Sequence, residues 1–117
     1  MKTIKVILKN NNEESIEKYQ AICNDKKIIY NEKEFKVTLD YSNSLKMIRE
    51  NNDYIFELEF IRGRKTKGIC KLKNEKVDME LDILTDYVII EDNLIIVKYN
   101  VITTEQDVIY RLEIIWF

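Results

Sequence analysis

The sequence predicts an all-β fold, a single antiparallel meander of short strands closed into a barrel of about eight to ten strands. Three observations lead there. Apolar and polar residues alternate with a period of two, as in Phe35, Val37, Leu39 and Tyr41 against Lys36, Thr38 and Asp40, and again in Tyr54, Phe56, Leu58 and Phe60 against Glu57 and Glu59. Successive strand side chains point to opposite faces, so such runs make ribbons with one oily and one wet side. Asn, Asp and Gly punctuate these runs at short intervals, and no segment carries a convincing helical stripe.

With turn residues as boundaries, strands fall near residues 2 to 9, 15 to 23, 27 to 31, 34 to 41, 45 to 50, 53 to 61, 66 to 73, 76 to 84, 87 to 91, 93 to 102 and 107 to 116. The first begins in Lys2-Thr3-Ile4-Lys5 and stops at Asn10-Asn11-Asn12, a run suited to a turn. The abundance of Ile, Lys and Asn elsewhere is what AT-rich codons would also produce. Glu13 to Ala21 admits one helical turn before alternation resumes. With Asn51-Asn52 as a turn, Arg49 faces Tyr54, Met47 faces Phe56 and Leu45 faces Leu58, so both strands send their apolar sets to one side; a slip of one residue would invert a strand. A three-residue loop at Gly63-Arg64-Lys65 sets Glu57 opposite Lys71. With Asn74-Glu75 as the next turn, Leu72 faces Val77, Cys70 faces Met79, Lys71 faces Asp78 and Lys67 faces Asp82. Val77, Met79, Leu81 and Ile83 then point inward at odd positions, whereas Val88 and Ile90 must do so at even ones to match Ile95 and Val97 across Asp92-Asn93. That change of parity requires a bulge within 84 to 87. The last strand gathers Tyr110, Leu112, Ile114 and Trp116 on one face and is expected to pair with the first. Closure removes edges that invite aggregation and absorbs accumulated twist. A two-sheet sandwich would need longer crossing connections than the chain offers.

Composition bounds the function. At 117 residues, 45% of them hydrophobic and 34% charged, the chain is read as one domain, 1–117, with a sizeable core. Nineteen basic and 21 acidic residues give a net charge of −2, which lacks the basic footprint of a nucleic-acid partner. The N-terminal residues enter a strand pattern at once, without the apolar run of a signal peptide, and no run reaches membrane-spanning length. The expectation is a cytoplasmic bacterial protein with no membrane partner. Cys23 and Cys70 form no CxxC pair, so they are read as reduced, buried thiols. Asp78, Glu80 and Asp82 alternate along a strand instead of crowding a tight Gly turn, so they make a solvated face. No metal or cofactor is expected.

One inward residue is out of character. Arg49 falls on the oily face, where a guanidinium needs a partner to offset lost hydration. Glu32 shares the face of Ile28 and Tyr30, and counting up-and-down strands brings Glu32, Arg49 and Tyr54 to one barrel end. The plain reading is an internal salt bridge capped by a tyrosine hydroxyl. The sharper one is a ligand site of Arg49, Glu32, Tyr54 and Tyr30, with Arg49 gripping the head group of a small, partly apolar anion. Glu32 as an acid-base catalyst is a third reading, but no nucleophile with a matching base accompanies it, so no enzyme is expected. Tyr19, Tyr30, Phe35, Phe56, Phe60, Tyr99, Tyr110 and Trp116 all face inward, which predicts a mostly filled barrel with a shallow pocket at one mouth. On the outside, Ile89, Ile109, Ile115 and Phe117 suggest an apolar partner surface, most simply a homodimer; scattered surface isoleucines are the plain alternative.

The order of several motifs carries a resemblance. Tyr30-Asn31-Glu32, Thr38, Met47-Ile48-Arg49, Phe60-Ile61-Arg62-Gly63, Met79-Glu80-Leu81-Asp82-Ile83-Leu84-Thr85 and Asn93-Leu94-Ile95-Ile96-Val97-Lys98-Tyr99 together resemble the YwiB-like family of bacterial calycin-type β-barrels, from about residue 15 onward. The resemblance implies a lipocalin-like barrel and supplies no reaction, since the family's activity is uncharacterised. The chain departs from the pattern in the very short connection after Glu32 and in Glu50-Asn51-Asn52, where glycine is commoner. Two functions follow as expectations: a non-enzymatic barrel binding a small ligand at the Arg49 end, or an interaction module using the outer isoleucines around a filled barrel.

Overall fold

In the computed structural model, which describes residues 1–75, 77–103 and 107–117, every strand pairs antiparallel with its neighbours in sequence and the last returns to the first. The strands are β1 (Lys2–Lys9), β2 (Glu14–Asn24), β3 (Lys27–Asn31), β4 (Lys36–Asp40), β5 (Leu45–Glu50), β6 (Tyr54–Phe60), β7 (Lys65–Leu72), β8 (Val77–Glu91), β9 (Leu94–Ile102) and β10 (Val108–Trp116). Closure comes from β1 against β10, with Ile4 opposite Trp116 and Leu8 opposite Leu112. This is the all-β, closed meander barrel that the alternation predicts.

Turn chemistry sets the registers. Asn10 and Asn51 play the same part: the side-chain oxygen of each accepts from the backbone N–H groups two and three residues on, at 2.8 to 3.1 Å, which closes a two-residue loop. In the second case that loop is Asn52-Asp53, one residue later than expected. Arg49 therefore faces Phe56 instead of Tyr54, Met47 faces Leu58 and Leu45 faces Phe60. A slip of two preserves parity, so the inward set is unchanged. The β6–β7 turn centres on Gly63, whose φ of 71° is the left-handed conformation glycine favours. Glu57 consequently lies opposite Ile69, yet Lys71 Nζ still reaches Glu57 Oε1 diagonally at 3.7 Å. The β7–β8 register is as expected, from Leu72 opposite Val77 to Lys67 opposite Asp82. The expected start of that strand at residue 76 lies outside the described residues.

Two expected strands, 76–84 and 87–91, are one. β8 runs through both and changes parity at an irregularity between Thr85 and Tyr87, so that Val88 meets Val97 and Ile90 meets Ile95. The helical turn allowed at the start of β2 does not form, because the ladder with β1 begins at Glu14. Gly68 faces inward opposite Leu81, and a Cβ there would stand 2.6 Å from Leu58 Cδ2; glycine lets that leucine lie across the strand.

Up-and-down winding gives the barrel two ends. One collects both termini and the turns after β2, β4, β6 and β8; the other collects the turns after β1, β3, β5, β7 and β9. Ile4, Ile28, Leu39, Leu45, Phe60, Ile83, Ile95 and Ile114 pack the interior toward the first end, with Trp116 against Tyr41 beside them. At the second end Tyr54, Val77 and Met79 have inward parity but are 37, 45 and 49% exposed. The cause is pairing. Among the described residues, Val77–Leu81 pair with β7 alone, because β9 joins β8 only at Asp82, and Glu14–Gln20 pair with β1 alone, because β3 joins β2 only at Ala21. This end stands open.

Candidate functional site

The open end holds the inward arginine. β5 parity turns Leu45, Met47 and Arg49 to the interior, and Arg49 is the last of the three before the mouth. Glu32 lies just beyond β3, where its backbone N–H donates to the Phe35 carbonyl at 2.8 Å and closes the short loop to β4. From there one carboxylate oxygen, Oε1, accepts from Arg49 Nε at 3.1 Å and Nη2 at 2.8 Å. The side chains are 39% and 24% exposed, so the pair is half sheltered. The Arg49 guanidinium also lies 4.8 Å from the Phe35 ring centroid, a cation–π contact that holds its plane.

Around this pair is a cavity with about 70 Å³ of free volume, floored by Met47, Tyr99 and Leu112 and walled by Val6 and Leu8 of β1 and by Ser15, Glu17 and Tyr19 of β2. That volume admits a few waters or one small polar head group, not a molecule sunk deep in the barrel. Tyr30 lines it as expected and is buried, its ring 5.1 Å from that of Tyr19. Burial raises the Tyr30 phenol well above its ordinary pKa, with Glu32 adding to the effect and Arg49 opposing it. Tyr19 is raised by burial, then by Glu32 and Glu17, against Arg49.

Tyr54 does not join them. The two-residue shift puts Phe56 across from Arg49, and Tyr54 packs on Phe56 at 6.0 Å, while Phe56 meets Phe35 edge-on at 6.0 Å. Tyr54 thus stands at the rim, packed on the Phe56 that takes the place opposite Arg49. Sequence reasoning in turn missed Ser15 and Glu17. On β2 the isoleucines are outside, Ile16 at 53% and Ile22 at 51% exposed, and the opposite parity turns inward. The inward placing of Tyr19 already implies this parity, which turns Glu17 and Ser15 inward as well. A second signal was the Asn10 turn, which fixes Glu17 opposite inward Val6 and Ser15 opposite inward Leu8.

The outer apolar set is only partly contiguous. Ile115 adjoins Leu94, and Ile89 adjoins Ile96, but on the outer face of β10 Arg111 and Glu113 separate Ile109 from Ile115. Ile109 instead borders Asn100, and Phe117 extends past Ile115, its N–H donating to Thr3. Cys70 is buried and Cys23 half-buried; both are free. Asp82 lies between Lys67 at 2.6 Å and Lys65 at 3.4 Å on the outer wall.

No family model and no curated protein matches the chain. Among solved structures it is similar to the crystal structure of the ywiB protein from Bacillus subtilis, with a TM-score of 0.58 over 98% of this chain and 87% of that one at 10% sequence identity. At that identity the likeness is one of fold.

Proposed function

We propose that this chain is a YwiB-like barrel of the calycin type that acts by binding, holding the head group of a small, partly apolar anion at its open end, in a reducing cytoplasm that keeps Cys23 and Cys70 as thiols. One observation carries the reading: Arg49 spends two of its five N–H donors on a single oxygen of Glu32, inside a cavity at the same open end as the exposed side chains of Tyr54, Val77 and Met79. A guanidinium already oriented by a carboxylate and a ring needs little reordering to take a second acceptor, and the apolar rim suits a short tail. Glu32, engaged by a charged partner, serves as positioner and not as proton donor.

The test is thermal-shift screening against short- and medium-chain carboxylates, nucleotides and phosphorylated metabolites, repeated on Arg49→Met. The expected result is a melting temperature that rises with ligand concentration in the wild type and loses that rise in the variant. A screen without any stabilising compound, or shifts indifferent to Arg49, overturns the reading.

The outer wall favours a second reading, self-association, through one row of residues. Ile89, Ile96, Glu113, Ile7 and Ile16 adjoin in register across five strands, four of them isoleucines. Light scattering at high concentration is expected to give a dimer that Ile89→Lys dissociates; a monomer ends this reading.

A further inference from the structure

The cavity holds more acid than Arg49 can neutralise. Glu17 and Glu32 both line it with one guanidinium, so its charge is negative by one with both carboxylates ionised. Glu32 offers Oε1 to Arg49, and Glu17 makes no ion pair among the described residues. Tyr19 lies within the field of Glu17, Glu32 and Arg49 alike, so the three charges belong to one site. A bare anion would meet Arg49 across this acidic surplus.

Glu17 shares the inward parity of β2 with Tyr19, Ala21 and Cys23, which pack against or within the core and would turn outward with a one-residue shift. Itself exposed, Glu17 lines the cavity from its outer edge. Next to that carboxylate, Tyr19 and Tyr30 present two rings 5.1 Å apart and tilted by 30°. Carboxylates beside aromatic faces are the chemistry that recognises an ammonium group.

We infer that the ligand class is a small zwitterion of the amino-acid type with an apolar side chain, its carboxylate taken by Arg49 and its ammonium by Glu17 and Glu32 against the Tyr19 and Tyr30 rings. The inference rests on the binding reading above and narrows it. The free volume of about 70 Å³ suits such a head group, and Val6, Leu8, Met47 and Leu112 of the same cavity give an apolar side chain surface to lie on.

The experiment uses three probes with the same branched tail: leucine, 4-methylpentanoate, which lacks the amine, and 3-methylbutylamine, which lacks the carboxylate. Affinities are measured by calorimetry on the wild type, Glu17→Gln and Arg49→Met, with the ligand-free melting temperature of each variant as the folding control. Leucine is expected to bind at least tenfold more tightly than either single-charge probe. Glu17→Gln is expected to lower leucine affinity about tenfold and to leave 4-methylpentanoate equal or tighter. If 4-methylpentanoate binds as well as leucine and Glu17→Gln weakens neither, the inference is overturned while anion binding at Arg49 survives. Should none of the three bind while other anions shift the melting temperature through Arg49, the inference alone falls. If no compound in either screen binds, both fall together.

Discussion

Phe60 and Phe56 sit on the same face of the same strand, four residues apart, yet Phe60 is 1% exposed and Phe56 half-buried. The difference lies not in the residues or their periodicity but in what closes around them. Toward the end with the termini, Phe60 packs against Tyr99 at 4.6 Å within the main cluster. Toward the other end β2 and β8 run on beyond their neighbours, each paired on one side, and the same alternation lines a mouth instead of a core. One ribbon pattern thus makes a plug at one end and a site at the other. Ladder length decides which.

The sharpest way to break this comparison is to truncate both rings. Phe60→Ala removes a fully buried aromatic and leaves a cavity, costing about 3 to 5 kcal/mol. Phe56→Ala at the half-wet end is expected to cost about 1 kcal/mol, because solvent and neighbouring rings can fill its place. Urea unfolding of both variants checks this. Equal losses would mean that the open end is packed as firmly as the closed one.

Tyr30 and Tyr99 mark the floor between the two ends, and pH probes it. Burial is the main cause that raises both phenols, aided by Glu32 at Tyr30 and by Tyr110 at Tyr99, with Arg49 opposing in each case. A raised folded pKa means that the contribution to stability is complete below the unfolded value of about 10 and lost as pH climbs above it, by up to about 1.4 kcal/mol per pH unit for each group. Of the seven tyrosines, these two are expected to ionise only as the barrel melts, seen as a late phase in absorbance at 295 nm. Tyr30→Phe should make the alkaline loss shallower. An early, complete titration with the fold intact would show the floor to be wet.

Much of this was legible in the residues. The odd-to-even switch between Ile83 and Val88 demanded the bulge that β8 contains, and the Asn74-Glu75 turn set the Leu72–Val77 hairpin, with Lys71 opposite Asp78 and Lys67 opposite Asp82. Arg49 and Glu32 were brought together by parity and by counting up-and-down strands. What parity could not settle was register in steps of two, since such a slip keeps every side chain on its face; hence Tyr54 was placed where Phe56 stands. On β2 the inward Tyr19 carries the observed parity, but Ser15 and Glu17 on the same face read as solvent positions, so they do not announce a site. The openness of the mouth depends on where each ladder stops. No single strand encodes that.

The ion pair at the mouth is expected to matter far less than Phe60 and about as much as Phe56. Glu32→Gln leaves Arg49 without its charged partner, but Arg49 is 39% exposed and can turn to water, so the cost is about 1 kcal/mol. A double-mutant cycle with Arg49→Met should give a coupling of similar size. A coupling of several kcal/mol would make the pair a structural clamp and bring the open end nearer to the closed one in character.

Asp82 lies on the outer wall and serves as a control that belongs to neither end. Lys67 Nζ donates to its Oδ1 at 2.6 Å, and this hydrogen bond chiefly holds the carboxyl below its ordinary pKa, with Lys65 helping from 3.4 Å. A lowered folded pKa contributes stability above the unfolded value of about 4, and that contribution fades as pH falls through the folded value. Asp82→Asn should therefore lower stability slightly near neutral pH and converge with the wild type as pH falls below about 4, so that its acid limb is flatter. Because these charges face solvent, high salt should shrink the difference further. An acid limb that keeps its slope in the variant would mean that the lysines hold Asp82 no better than water does, leaving the β7–β8 register to apolar contacts on the inner face.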